Sequence, residues 1–418
     1  MIHAAIYAKT DRIQRRIEAL AEFTATPGAG TTRMSYSPQG QQARAYIKEQ
    51  MKEAGLTVRE DAIGNIFGRL SGDDDARPAV MIGSHFDSVP HGGAFDGPAG
   101  VVMGLEIASL FHENRLTPRY PLEVVALVEE EGGSFGRGLM ASSAIVGKVN
   151  AEELHRLCDA QGVSAAARMA EVGFNADDVE SVVIPPSSLK AFIELHIEQG
   201  PVLEQTGTDV GLVDVIVGIT QMNVVLTGKA GHAGTTPMDR RQDALVAASH
   251  MVSRIGDFAR QAGEATVATV GKLQVYPNGA NVIPHRVSFT VDIRSKSEEK
   301  LRQTIAATRA CIEEFARDGV TAEIEQPLYV SPTPLNAAIL ESLQKSSEKL
   351  GLSYRTMVSG AGHDAMIFAG VTDVGLVFVP SRDGLSHHPD EWTDYEQLKK
   401  GVDVIFQTVL EMTEATHE

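Results

Sequence analysis

Four stretches, far apart in the chain, place histidines and carboxylates directly after apolar runs. His85, Asp87 and Asp96 follow AVMIG in the loop GSHFDSVPHGGAFDG (83–97). Glu129, Glu130 and Glu131 close the run LEVVALV (122–128). His196 and Glu198 close AFIEL (191–195), and His387 and His388 follow GLVFVPSRDGLS. Imidazole and carboxylate together make a ligand set for divalent ions. Two such ions about 3.5–4 Å apart, bridged by a carboxylate, polarise a carbonyl and lower the pKa of a bridging water. A further carboxylate is then free to act as general base. Each stretch alone reads as well as a polar loop after a buried strand, and a lone strand-end histidine is more often structural or exposed. Four strand ends agreeing is what favours a metal. Three acidic residues in a row after an apolar strand are costly unless a positive charge compensates them, and a divalent ion does so.

The surrounding elements explain how these stretches could converge. Residues 37–55 read as a helix: Ser37 caps, Pro38 suits the first turn, Gly55 ends it, and Ala43, Ile47, Met51 and Ala54 line one face. LTVRE and NIFGRL are strand-like runs separated by a turn at Gly64–Asn65. LEVVALV is a continuous apolar, β-branched run that fits a central strand covered on both faces. Helices are expected at 98–113, over much of 141–180, at 335–350, from 363 and at 394–415. With strands between them, they predict an α/β layer with a mostly parallel mixed sheet flanked by helices. In such sheets ligands bind beyond the carboxyl ends of the strands. After about residue 210 the pattern changes. GLVDVIVG and QMNVVLTG are close-set strands, and a helix at 239–262 offers Leu245, Val246, Met251 and Ile255 for burial. In NVIPHRVSFTVDIRS, apolar Val287, Phe289, Val291 and Ile293 alternate with Ser288, Thr290, Asp292 and Arg294. A helix at 297–318 and a strand at 320–325 complete the order ββαββαβ, an α+β sandwich with one open sheet face. PLYVSPTPLN reads as the return crossing. The expected organisation is a discontinuous larger domain, 1–210 and 328–418, with a smaller domain inserted at 211–327.

Composition narrows the class. A chain of 418 residues with 43% apolar and 22% charged residues is expected to form two globular domains. The formal charge of −18 argues against nucleic acid or an anionic membrane as partner. The start, MIHAAIYAKTDRIQRRIEAL, reads as an amphipathic helix rather than a signal peptide, and no apolar run is long enough to span a bilayer. Cys158 and Cys311 lie in helix-like patterns and are expected to be buried, reduced thiols. These features predict a cytoplasmic protein without disulfides.

Taken in order, GSHFDSVPHGGAFDG, EEEGGSFGRGLMAS, HIEQGPVLE, GKAGHAGTTPMDRRQDA, NVIPHRVSFTVDIRS, SGAGHDAM and DGLSHHPDEW resemble the amidohydrolase branch of the M20 metallopeptidase family. That branch holds N-carbamoyl-L-amino-acid hydrolases, allantoate amidohydrolases and yeast-type β-ureidopropionases. The resemblance runs from about residue 30 to the C-terminus. It implies a larger di-metal domain and an inserted lid that also makes a homodimer, with two divalent ions (Zn, Mn, Co or Ni) per subunit. It implies His85, Asp96 and His196 on one ion and Asp96, Glu131 and His387 on the other, with Asp96 bridging. Glu130 would be the general base, and Asp87 would orient the His85 imidazole. The pattern S-H-x-P-x-E selects His387 as ligand and leaves His388 an exposed loop residue. From the lid, Asn281 and Arg294 would grip a substrate carboxylate, and His232 would reach the partner subunit's site to stabilise an oxyanion. Gln199 would contact a carbamoyl group, and Gly360 and His363 would line the pocket, although His363 could equally cap or pack the following helix. The implied reaction is hydrolysis of a ureido C–N bond on a small carboxylate. N-carbamoyl-L-amino acids, allantoate and N-carbamoyl-β-alanine all remain open as substrate. A di-metal aminopeptidase or carboxypeptidase is the more distant alternative, and a binding module without metal the different-class one.

Overall fold

The computed structural model describes residues 6–417. Of the expected N-terminal helix, residues 1–5 lie outside the described residues; the helix runs Thr10–Ala21 and buries Ile13, Ile17 and Leu20. The chain divides into two compact units. One comprises the chain up to Asp214, Leu335–Met357 and the part from His363 onward; the other comprises Val215–Pro334 and Val358–Gly362.

Among the described residues the larger unit is built on a mixed sheet. Its four central strands lie side by side in the order Leu122–Leu127, Ala79–His85, Leu189–Ile197 and Asp373–Val379, and all are parallel. The first two are buried along their whole length and the other two almost so, as their unbroken apolar runs require. The margins are antiparallel: Thr57–Glu60 and Ile66–Leu70 on one side, Val210–Ile216 on the other. Helix Pro38–Glu53 has the expected ends, with the Ser37 hydroxyl accepting from the Gly40 N–H and Gly55 at a φ of +80°. Because the central strands run the same way, their carboxyl ends open at one edge. His85, the 129–131 acidic run, His196 and the loop after Val379 all emerge there.

The smaller unit is a four-stranded antiparallel sheet in the order Val267–Tyr276, Arg286–Ser295, Gly218–Thr227, Thr321–Val330. Helices Ala244–Ala262 and Glu298–Phe315 supply Met251, Ile255, Leu301 and Ile312 to its core. These meet Met222, Val224 and Leu226 and the alternate residues Val287, Phe289, Val291 and Ile293. Ser288, Thr290, Asp292 and Arg294 occupy the other, half-buried face.

Four expectations need correction. GLVDVIVG is not a strand of the inserted sheet: Leu212 pairs with Val377 and Gly211 with Phe378, in the large sheet. An apolar run looks the same whichever sheet receives it, so only pairing separates the cases. The last strand of the small unit runs on to Val330, through part of the expected crossing, and a register shift between Glu325 and Leu328 accommodates Pro327. Val246 is exposed, because Ala244, Ala247 and Ala248 take the inward positions of its helix. Cys158 is exposed and lies in a loop bridged to Ser164, outside any helix, whereas Cys311 is buried. Among the described residues no helix is long and apolar enough to cross a membrane.

Candidate metal centre

Asp96 is the point on which the site turns. Its two carboxylate oxygens face different partners. Oδ1 lies 3.1 Å from His196 Nε2 and 3.5 Å from His85 Nε2. Oδ2 lies 3.3 Å from His387 Nε2, which is also 3.4 Å from Glu131 Oε2. Two groups of ligand atoms therefore share this one carboxylate: His85, Asp96 and His196, and Asp96, Glu131 and His387. His85 also groups with Glu130 and Glu131, and Glu130 Oε2 lies 3.8 Å from its Nε2.

Local structure aims each group. His85 ends its strand, and its Nδ1 lies 3.2 Å from the Asp87 backbone carbonyl and 3.5 Å from the Asp87 carboxylate, which leaves Nε2 facing Asp96. His196 does the same through Nδ1, 2.9 Å from the Ile197 carbonyl. Asp87 also holds the acidic run to the His85 loop, because its oxygens accept the N–H groups of Glu130 (3.1 Å) and Glu131 (3.2 Å). Glu129 turns aside. Its carboxylate accepts the N–H and hydroxyl of Ser134, so of the three consecutive acids only Glu130 and Glu131 face the histidines. Glu129, Gln199 and His387 all have positive φ, at 52°, 58° and 55°. Non-glycine residues in this region cost about 1–3 kcal/mol each, and such strain concentrates at functional sites.

The electrostatics fit a cation. Burial, reinforced by Asp96, pushes the Glu131 carboxyl up to about 7. Burial also raises Glu130, with Asp364, Glu131 and Asp87 adding to the effect against His85. His387 is pushed up to about 9, first by its hydrogen bond to Asp96. For His85 burial opposes the charged form, but Glu130, Asp87 and Asp96 outweigh it; for His196 Asp96 and Glu194 do so. Glu130, Glu131 and the three imidazoles are driven towards their protonated forms, as a cluster short of positive charge requires, whereas Asp96 goes the other way: against burial, His196, His387 and His85 hold its carboxyl well below the usual carboxylate range. Among the described residues no Lys or Arg ion-pairs with Asp96, Glu130 or Glu131. Glu131 Oε1 is buried and, among the described residues, has no hydrogen-bond partner. The donor set, histidine nitrogen and carboxylate oxygen, suits a divalent transition metal.

The remaining expected residues fall into two sets. In the larger unit, His363 is buried, its ring edge-on to His196 at 4.5 Å between centroids and against Phe378. It makes no side-chain cap for the helix Asp364–Phe368. Burial and His196 hold it well below the usual histidine range, so its ring is neutral. Gln199 donates from Nε2 to Asp96 Oδ2 at 2.7 Å and to Ser386 Oγ at 3.2 Å. His388 is exposed, its Nδ1 accepting the Asp390 N–H. In the smaller unit, His232 and Asn281 are exposed neighbours: His232 pairs with Val282, and the Asn281 carbonyl accepts the Ala233 N–H. Arg294 donates to Asp292 Oδ1 (2.9 Å) and to the Gly360 carbonyl (2.8 Å), so two expected substrate residues meet there.

Several further residues support the site, and Glu194 and Arg33 carry no signal that sequence reasoning picks up. Buried Glu194 accepts from Ser84 Oγ and the Ala365 N–H. Arg33 is fully buried and donates to the carbonyls of Phe86 and Leu20, bracing the loop after His85. Ser386 and Glu391 contact the Asp96 loop. These last two do stand in the S-H-x-P-x-E pattern, which is the one signal that could find them.

Comparison with known proteins gives a consistent picture. Residues 81–411 match the profile of Peptidase family M20/M25/M40. An N-carbamoyl-L-amino-acid amidohydrolase of Paenarthrobacter aurescens is 45% identical over 403 residues, covering 96% of this chain and 98% of that relative. An allantoate amidohydrolase of Escherichia coli K12 is 36% identical over 394 residues, covering 93% and 95%. Among solved structures, an amidase of the hydantoinase/carbamoylase family from Burkholderia multivorans superposes with a TM-score of 0.91 at 36% identity, covering 98% of this chain and 99% of the other.

Proposed function

The chain belongs to peptidase family M20/M25/M40, and within that family of hydrolases we propose that it cleaves the ureido C–N bond of N-carbamoyl-L-amino acids, yielding the amino acid, CO2 and ammonia. The observation that carries this reading is the shared Asp96 carboxylate, with a histidine and carboxylate set on each oxygen, in a chain 45% identical to a carbamoylase over nearly its whole length. Allantoate is the second reading, favoured by the 36% identity to an allantoate amidohydrolase. N-carbamoyl-β-alanine and, more distantly, a peptide are the further alternatives.

In this reading His85, Asp96 and His196 hold one divalent ion and Asp96, Glu131 and His387 a second. When bound, the ions supply polarisation of the carbamoyl carbonyl and acidification of water. The chain's residues do the rest. Glu130 accepts a proton from the attacking water on a carboxylate oxygen and returns it to the leaving nitrogen. Asp87 keeps Glu130 and Glu131 in register with His85 through the two backbone N–H groups that it accepts. Gln199 commits its Nε2 to Asp96 and keeps its carbonyl oxygen for the carbamoyl N–H groups. Asn281 and the planar fork of Arg294 bind the carboxylate. His232, from the partner of a homodimer, donates to the tetrahedral oxyanion. Gly360 and the neutral His363 line the pocket. The two free cysteines, Cys158 and Cys311, fit the cytoplasmic setting that belongs to the same reading.

The test is ammonia release from N-carbamoyl-L-methionine, allantoate and N-carbamoyl-β-alanine, side by side, with Mn²⁺ supplied. Highest kcat/KM on the first is expected. Highest kcat/KM on allantoate replaces this reading with the second, and no release from any of the three refutes both.

A further inference from the structure

We propose that Glu391 is a positioning residue that clamps the Asp96 loop to the His387 loop, so that the second ligand group exists only while this clamp is closed. The inference rests on the two-ion reading above.

The two oxygens of the Glu391 side chain divide the work. Oε1 accepts the backbone N–H of Phe95 and of Asp96, both at 3.0 Å. Oε2 accepts the Ser386 hydroxyl at 2.9 Å, and that hydroxyl also lies 2.8 Å from Asp96 Oδ2. One carboxylate thereby fixes the backbone that carries Asp96 and the residue that precedes His387. These segments are separated by 290 residues of chain. Gln199, which donates to both Asp96 and Ser386, and the ring contacts of Phe95 with Trp392 and Tyr395 also join them, but among the described residues only the Glu391 carboxylate bonds both the Asp96 backbone and Ser386. Glu391 is 4% exposed, so these bonds form away from water, where each lost partner leaves a polar group unpaired.

The Asp96 loop is shaped to receive it. A Cβ on Gly93 would lie 2.1 Å from Glu391 Oε1 and 2.2 Å from its Cδ. Glycine at 93 is thus the space into which the Glu391 carboxylate fits. The ends of the clamp are unequal. The first ligand group draws His85 and His196 from strands of the central sheet, whereas His387 sits on a loop with its side chain 49% exposed and a φ of +55°. The second group therefore depends on the clamp more than the first.

The hydrogen-bond pattern asks for shape rather than charge. Ser386 has one hydroxyl proton and two acceptors within reach. A glutamine at 391 can accept the two N–H groups through Oε1 and donate through Nε2 to Ser386 Oγ, which frees the hydroxyl proton for Asp96. Glu391→Gln should therefore keep the clamp, and Glu391→Ala should open it.

The test is Co²⁺ titration of the full-length, metal-stripped protein, followed by visible absorption and by metal analysis. Wild type is expected to take up two ions, and Glu391→Ala to bind one of them about 10–100-fold more weakly, the range for partners that hold a ligand in place. Glu391→Gln should restore affinity to within a few-fold. Ser386→Ala, a one-atom deletion that leaves the Oε1 bonds intact, should weaken the same ion about tenfold and serves if Glu391→Ala fails to fold. Wild-type affinity for both ions in Ser386→Ala or in folded Glu391→Ala overturns the proposal. So does a Glu391→Gln variant as weak as the alanine one. A wild type that binds fewer than two ions overturns the two-ion reading itself, whatever the variants do.

Discussion

Replacing Gly97 by alanine would separate two costs that the structure makes visible. Gly97 has a φ of +83°, and an alanine forced into such backbone loses about 1–3 kcal/mol. The second cost is spatial. The new Cβ would stand 2.4 Å from His85 Cε1 and Nδ1 and 2.7 Å from Nε2. Ordinary carbon contacts lie at about 3.5–4.0 Å, so the imidazole must retreat by about 1 Å. It cannot do so and keep its Nδ1 contact to the Asp87 carbonyl at 3.2 Å. Loss of metal affinity should therefore reach at least the roughly hundredfold that removal of a supporting partner can cause. Gly28→Ala is the control: φ there is +79°, but nothing lies within 4 Å of its Cβ. Both variants should unfold a few degrees earlier than wild type in the metal-free state, at about 2–4 °C per kcal/mol. Only Gly97→Ala should release metal when dialysed against a Zn²⁺ or Mn²⁺ buffer that saturates wild type. A Gly97→Ala protein that retains both ions at wild-type affinity would show that His85 is not held where its contacts place it.

Three further outcomes are expected. Glu130→Gln should retain both ions by metal analysis while kcat falls by about 10²–10⁴ or more, and near-normal turnover removes Glu130 as the base. Arg294→Ala should raise KM about 10–100-fold with kcat little changed, since a hydrogen bond to a charged group is worth about 1.5–3 kcal/mol; an unchanged KM sinks the carboxylate role. Co-refolding inactive His232→Ala with inactive Glu130→Gln chains should restore part of the activity if His232 serves the partner's site; no recovery in mixed dimers that have been shown to form argues for a role within one chain.

How far the site can be read from the chain differs from residue to residue, for physical reasons. His85, Glu130, Glu131 and His196 stand at the ends of buried parallel strands, and an apolar run that stops at a polar group is a local signal. The division of Asp96 between two groups is not local: it depends on which oxygen each imidazole meets. The double hold of Asp87 on the 130–131 backbone is equally invisible, because backbone N–H groups carry no residue identity. Gln199 reads as a substrate contact because its motif suggests one, yet its amide nitrogen is committed to Asp96. In the fold, alternation and apolar runs locate most strands but not their partners. Hence sequence alone puts Val210–Ile216 in the wrong sheet, although its limits are nearly right. Arg33, among the largest fully buried side chains, would pass from composition alone as a surface charge.

The shared carboxylate has a consequence for the order in which the protein comes into being. Once residue 196 has left the ribosome, His85, Asp96 and His196 are all available. His387 follows only about 190 residues later, after the whole inserted unit. At about 5–20 residues per second the interval is on the order of ten seconds or more. In the two-ion reading the chain then carries every residue of the first proposed ligand set and only part of the second, with Oδ2 of Asp96 still waiting for His387. A premature stop anywhere between these two histidines would leave the second set without His387. The finished centre is thus a record that translation passed residue 387.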